Sequence, residues 1–391
     1  MAIIFVVPVL SRRVRLPAAV GLLVAGIVIG PYVLDLFGTD RPIVDFLADI
    51  GKLLLMFFAG LEINLTLFRS SRHKVIIFGL ITTGIPLVLG AAVGLAFSYS
   101  VVTAIVIGSL LASHTLLAAP TVIRLGANKL EPFTVTVGAT VMSDTLSLVV
   151  FAMCVSTFQR GFSWSGLALQ LAEVVAFIPL LLFGVGRGGR VLLNKVEDDE
   201  NAYFILMFGT MAVAAVLANV INLPGIVGAF LAGLAVNEAV QEKPAKEKLE
   251  FFGNSFFIPI FFVVTGFLID PVAFARSIID NFPLAAGILG ALIIGKWIAA
   301  AIAARAFHYD RPSQRTIWSL TLPQVAATLA ATLVGFGTLN PAGERLIDKR
   351  ILDMVFVLVV VTATLGPILT EHYAPMMLKS SEGRGEPDVV A

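Results

Sequence analysis

A chain of 391 residues that is 58% apolar and only 14% charged falls well short of the roughly 25% charged residues of ordinary soluble domains. It reads as an all-α polytopic membrane protein. A net charge of +1 gives no reason to expect a nucleic-acid partner, and a single cysteine, Cys154, excludes an intrachain disulfide. No signal peptide is expected, because Met1–Leu10 is apolar with no basic stretch before it and no small-residue cleavage site after it.

The pattern predicts thirteen apolar segments, at about 1–10, 17–36, 44–61, 75–97, 101–124, 132–155, 165–186, 203–221, 223–240, 253–271, 281–305, 315–337 and 352–370. The first is short. Ten helical residues rise about 15 Å, half of a bilayer's hydrocarbon thickness. Either residues are missing upstream or this helix spans part of the membrane. In the third segment Asp49 and Lys52 stand at i,i+3 and can pair at a solvated helix end. Glu173, in the first half of the seventh segment, reads the same way. Residues 371–391 form a polar tail, and Lys379–Ala391 is expected to be disordered.

Orientation follows from the basic residues of the connections. Alternate connections, with the tail, carry nineteen lysines and arginines (Arg12, Arg69, Arg124, Arg187, Lys243 and Arg305 among them) against six in the others. The C-terminus is therefore expected in the cytoplasm and the N-terminus outside, in a bacterial inner membrane.

Within the sixth segment the stretch Gly138–Ala152 (GATVMSDTLSLVVFA) has one carboxylate, Asp144, near its middle. An ionised Asp at the bilayer centre costs about 2.5–3.5 kcal/mol on insertion scales, so it persists where it faces a partner, a water-filled cavity or a transported ion. Thr140, Ser143, Thr145 and Ser147 lie close by. Lys296, about fifteen residues into the eleventh segment, is as deep. The simplest way to keep both is a shared polar cavity.

Two stretches recur. Leu16–Gly26 (LPAAVGLLVAG) matches Leu223–Gly233 (LPGIVGAFLAG) at an offset of 207, and Gly60–Phe68 (GLEINLTLF) matches Gly266–Phe274 (GFLIDPVAF) at 206. The connections before them lie on opposite sides of the membrane. The chain therefore reads as two inverted five-helix repeats, 17–155 and 223–370, an arrangement typical of transporters with a site at the midplane. The fifth segment holds Ser113, His114 and Thr115 before Pro120, and its counterpart, the twelfth, holds Pro323, Gln324 and Thr328. Each proline removes a backbone N–H and favours a helix break. Such broken helices leave carbonyls and half-helix ends that can meet a small cation.

These residues resemble the monovalent cation:proton antiporter superfamily, in the branch of bacterial Na+/H+ exchangers and glutathione-gated K+ efflux systems. The resemblance rests on Leu53–Ile63 (LLLMFFAGLEI), Pro224–Gly233 (PGIVGAFLAG), Phe257–Gly266 (FIPIFFVVTG) and the segment around Asp144. It implies thirteen helices with crossed, broken pairs. It also implies a homodimer, a core of helices 75–155 and 281–370, and dimerisation helices 1–61 and 203–271 against which the core slides. The family's essential aspartate falls on Asp144 and its basic residue on Lys296, which would balance charge. Where many members carry Asp or Asn before the aspartate, this chain has Ser143, so one cation per proton is expected if Lys296 stays charged, and two protons if it does not.

The expected function is a secondary antiporter in which Na+ or K+ and a proton compete for Asp144. Ser143, Thr115 and Ser113 are candidate oxygen ligands beside it. His114 and Gln324 are candidates for hydrogen bonding or pH sensing, and Pro120 and Pro323 for the helix breaks. The ions, lipid and a second copy are the expected partners, and no cofactor is required. A Na+-coupled symporter of a small organic anion is the nearest rival, though only Lys296 is at hand to bind the anion. An enzyme is not expected: the two acids of an intramembrane aspartyl protease and a His-Glu-x-x-His site are both absent.

Overall fold

A computed structural model describes residues 2–13, 18–36, 41–61, 72–127, 130–161, 164–185, 187–188, 191, 195–196, 199–221, 223–240 and 244–382. The fold is almost entirely helical. In chain order the helices are α1 (Ala2–Arg13), α2 (Ala18–Ile29), α3 (Arg41–Leu61), α4 (Arg72–Ala96), α5 (Val101–Ala112), α6 (Ala119–Arg124), α7 (Glu131–Arg160) and α8 (Trp164–Pro179). There follow α9 (Glu200–Val220), α10 (Gly225–Val240), α11 (Pro244–Phe252), α12 (Ile258–Gly266) and α13 (Pro271–Asp280). The last are α14 (Phe282–Phe307), α15 (Arg311–Leu320), α16 (Ala326–Gly337) and α17 (Lys349–Glu382). Wide π turns follow α8 at Leu180–Val185 and join α11 to α12 at Gly253–Phe257.

Among the described residues six helices are long and apolar enough to cross a membrane: 72–96, 131–160, 201–220, 247–266, 282–307 and 349–381. The apolar helices α2, α5, α10 and α16 are shorter. Several boundaries differ from the sequence expectation: the second segment is helical only to Ile29 rather than 36, and the sixth runs on to Arg160 rather than 155. The tenth segment begins as helix at Pro244 rather than 253. A short amphipathic helix, α13, fills 271–280, where a connection was expected. The last helix runs on to Glu382, through residues assigned to a polar tail. That extension is held by packing: Ala374 and Met377 are buried with Leu320, Ala118 and Val122, and Ser380 donates to the Asp310 carboxylate. Residues 383–391, Leu16, Pro17 and 62–68 of the repeated stretches lie outside the described residues.

The chain divides into two compact units, Met1–Ile63 with Gly161–Asp280, and Asn64–Arg160 with Asn281–Ala391. In the first, α2 crosses α12 and α3 crosses α10 at backbone contact distance. A Cβ on Gly26 would overlap the Val263 carbonyl, and one on Gly266 the Leu23 carbonyl. A Cβ on Gly60 would overlap the Phe230 carbonyl, and one on Gly233 the Phe57 carbonyl. Only glycine permits this approach, the usual device where helices have no hydrophobic drive to associate. The buried Asn237 amide donates to the Leu61 carbonyl at 2.5 Å and the Gly60 carbonyl at 3.4 Å, closing the end of α3.

In the second unit α4 is the spine, against which α5, α7 and α14 pack. Gly90 of α4 lies against Gly108 of α5, and Gly79 against Met142 of α7. Caps set the ends: Ser100 accepts from the Thr103 N–H, and Asp310 from the Ser313 N–H at 2.9 Å. Each capped donor is one that a helix start otherwise leaves orphaned. The unit holds two interrupted helices, α5–α6 and α15–α16, each following a long helix and leading into another.

Candidate ion-binding site

Helix α5 stops at Ala112, and Ser113–Leu116 run without helical hydrogen bonding until α6 begins. Pro120 lies in the first turn of α6, where a missing N–H costs nothing. The opening is therefore set by Ser113–Ala118, upstream of the proline. The second opening, Thr321–Val325, contains Pro323 itself. In hydrocarbon every freed backbone group needs a partner, and here side chains from other helices supply them. Lys296 donates to the Ala112 carbonyl at 2.8 Å, and the Gln324 amide donates to the Ser113 carbonyl. In return the Thr115 N–H donates to the Pro323 carbonyl at 2.8 Å and the Gln324 N–H to the Thr362 hydroxyl at 3.0 Å. The two openings are stitched to one another at Thr115–Pro323 and at Gln324–Ser113.

Asp144 stands near the middle of α7, half-buried, and its Oδ1 accepts from the His114 backbone N–H at 3.4 Å. Ser143 is fully buried, with its hydroxyl 3.2 Å from His114 Nδ1. Thr140, one turn before Asp144, lies 3.0 Å from His114 Nε2. The Thr115 hydroxyl, half-buried in the same opening, makes no hydrogen bond among the described residues. Ser147, one turn beyond Asp144, donates to the Asp144 carbonyl at 3.0 Å. It lines a small buried cavity together with Ser109, Ser113 and Thr328, walled by Leu148 and Phe151.

Lys296 is wholly buried on α14. Its ammonium reaches the Thr82 and Ala112 carbonyls at 3.0 and 2.8 Å and the Thr82 hydroxyl and His114 Nδ1 at 3.4 Å each. Lys296 and Asp144 thus converge on His114, one at its ring and the other at its main chain. Among the described residues no ion pair within 4.0 Å joins them directly. The lysine caps the carbonyl end of a broken helix, where the helix dipole favours a cation. Gln324 is also fully buried and accepts from the Thr328 hydroxyl at 2.6 Å.

Ser113, His114, Thr115, Ser143, Asp144, Lys296, Pro323 and Gln324 are thereby drawn into one network. Thr82, Thr140, Thr328 and Thr362 join it without having been singled out as site residues. Thr140 was noted beside Asp144 in the sequence, and its i−4 spacing puts it on the same helix face. Pro86, inside α4, leaves the Thr82 carbonyl without its helical donor, whereas the Thr362 contact depends on tertiary packing alone. No group of three or more His, Cys, Asp or Glu side chains fit to hold a metal ion occurs among the described residues. A cation here would meet one carboxylate and neutral oxygens, a donor set suited to a hard alkali ion that must also leave.

The family model described as "Sodium/hydrogen exchanger, transmembrane" matches residues 1–374. A Na+/H+ antiporter of Synechocystis, NhaS5, is 40% identical over 96% of this chain and 54% of its own length. The Na+/H+-K+ antiporter GerN of Bacillus cereus is 28% identical over 96% of this chain and 92% of its own. The chain thus spans about half the length of the first relative and nearly all of the second. Among solved structures, the sodium proton antiporter MjNhaP1 of Methanocaldococcus jannaschii at pH 8 superposes with a TM-score of 0.69, at 16% identity, over 96% of this chain and 95% of that one. That last likeness is one of fold. The chain belongs to the transmembrane sodium/hydrogen exchanger family, whose members are ion transporters and not enzymes.

Proposed function

We propose that this chain exchanges a monovalent cation, Na+ or K+, for protons across a membrane, with the two competing for Asp144. One observation carries the reading: a half-buried carboxylate at the middle of a membrane-length helix, beside the stitched openings of two broken helices. A carboxylate at that depth is stable when a proton or a cation occupies it, and it cannot hold both at once. The Thr115, Ser143 and Ser113 hydroxyls and the freed carbonyls supply neutral oxygens, and Lys296 balances charge. Asp144 is exposed to the two sides in turn as the second unit carries it, and the first unit forms the homodimer. The crosswise glycine contacts, Gly26 with Gly266 and Gly60 with Gly233, are what an inverted repeat of 17–155 and 223–370 would produce. They support that reading, and the distribution of Lys and Arg supports a cytoplasmic C-terminus.

The test is proton movement in proteoliposomes, read with a pH-sensitive dye, on addition of Na+, K+ or Li+. Asp144→Asn should abolish cation-driven proton movement while the purified protein keeps its thermal unfolding midpoint. Full activity in that variant would reject the site.

A further inference from the structure

We propose that His114 is a positioning residue that links Asp144 to Lys296, taking the place left open by the uncharged Ser143. The functional half of this statement rests on the exchange reading above. The neighbouring carbonyls favour one tautomer. The Thr140 hydroxyl has the Thr136 carbonyl at 2.9 Å for its proton, and with that bond made it accepts from His114 Nε2, 3.0 Å away. In this arrangement Nε2 carries the ring proton and Nδ1 presents a lone pair. Ser143 has the Thr140 carbonyl at 3.0 Å for its own proton. Lys296 commits two protons to the Ala112 and Thr82 carbonyls, and the third lies between the Thr82 hydroxyl and Nδ1. The imidazole is thus held in one tautomer with its acceptor turned to the ammonium.

The same residue gives its main-chain N–H to Asp144. In an intact helix that N–H would be tied to a carbonyl four residues back. His114 sits in the opening after α5, so its backbone is free to answer to the carboxylate instead. The residue is 2% exposed, which leaves bulk water no access to replace either contact. The charged or polar side chains facing it are Thr82 and Lys296 from the packed helices α4 and α14, and Thr140, Ser143 and Asp144 from α7. Among the described residues no second carboxylate touches it. When a proton or cation occupies Asp144, the carboxylate's pull on the His114 N–H weakens, and the ring's hold on the ammonium changes with it. Lys296 thereby senses the occupant of Asp144 through one residue, without an ion pair between them.

The chain has four histidines, so a 15N-histidine spectrum of this chain in detergent is simple to read. The resonances absent from His114→Asn assign the residue. The expected result is an Nε2-protonated ring whose Nδ1 signal moves when Lys296 is changed to Gln. An Nδ1-protonated ring in the wild type, or an Nδ1 signal indifferent to Lys296→Gln, would overturn the proposal. Transport supplies a second measurement. His114→Leu, which removes the acceptor, should shift the pH midpoint of cation-driven proton movement by about half a pH unit or more. His114→Asn, whose amide oxygen can stand near Nδ1, should lie closer to the wild type. Coincidence of the two variants would overturn the positioning role. A wild type that moves no protons would instead overturn the exchange reading, and the spectra would still decide the contact.

Discussion

The two units solve one problem with different emphasis. Helices that cross inside a membrane gain nothing from excluding lipid, so they must pack closely or bond to each other. The first unit packs: its crossings at Gly26–Gly266 and Gly60–Gly233 bring backbone against backbone, with Asn237 as a polar staple at the end of α3. The second unit packs α4 on α5 in the same way, at Gly90 and Gly108, and bonds as well: two of its helices are interrupted, and freed groups are met by Lys296, Gln324 and Thr362. Glycine contacts close the space between two helices and leave no side chain at the crossing to meet an ion. Interrupted helices leave carbonyls, hydroxyls and a carboxylate within reach of one another.

The comparison can be broken by changing each device in turn. Lys296→Met removes the partner of two buried carbonyls. Each orphaned acceptor costs about 1–3 kcal/mol, so the purified variant should lose about 2–5 kcal/mol and unfold well below the wild type in a thermal scan. An unchanged midpoint would mean that the broken end of α5 does not need its cap. Gly233→Val drives a side chain into the Phe57 carbonyl. Overpacking of this kind costs about 1–3 kcal/mol, and the same scan should show it. Gly290→Ala, in a helix with open space around the glycine, should instead raise the midpoint slightly, and equal effects at the two positions would refute the close crossing.

The smallest effect lies outside the membrane-spanning helices. Tyr99, between α4 and α5, donates to the Asp348 carboxylate at 3.3–3.4 Å. Burial and the negative charge of Asp348 push its phenol from 10 up to about 12. A group that binds its proton more tightly when folded stabilises the fold below its unfolded value and loses that contribution as pH rises through the folded one. Wild-type stability should therefore fall between about pH 10 and about 12, by less than ~1 kcal/mol because the ring is half in solvent. Tyr99→Phe should flatten that fall.

Much of this was legible in the sequence, because hydrocarbon is a severe solvent. Asp144 and Lys296 were conspicuous for being charged at depth, and the Ser113–Thr115 and Pro323–Gln324 clusters for being polar beside prolines. What the lysine touches was not legible. Its nearest partners are the carbonyls of Thr82 and Ala112; Pro86 and the break after Ala112 free those carbonyls, but neither says which side chain will meet them. The opening between α5 and α6 lies before Pro120 because the proline can begin a helix as readily as end one. The extension of α17 to Glu382 was hidden by composition: among its polar residues Ser380 donates to Asp310, and Ala374, Met377 and Leu378 carry the apolar contact.

The double stitch between the two openings constrains how the second unit can work. With Thr115 bound to Pro323 and Gln324 bound to Ser113, neither half-helix end can swing without dragging the other. Under the proposed exchange, a passenger seated at Asp144 would ride with its oxygen cage rather than be passed hand to hand along a file of sites, as on a ferry and not a ladder.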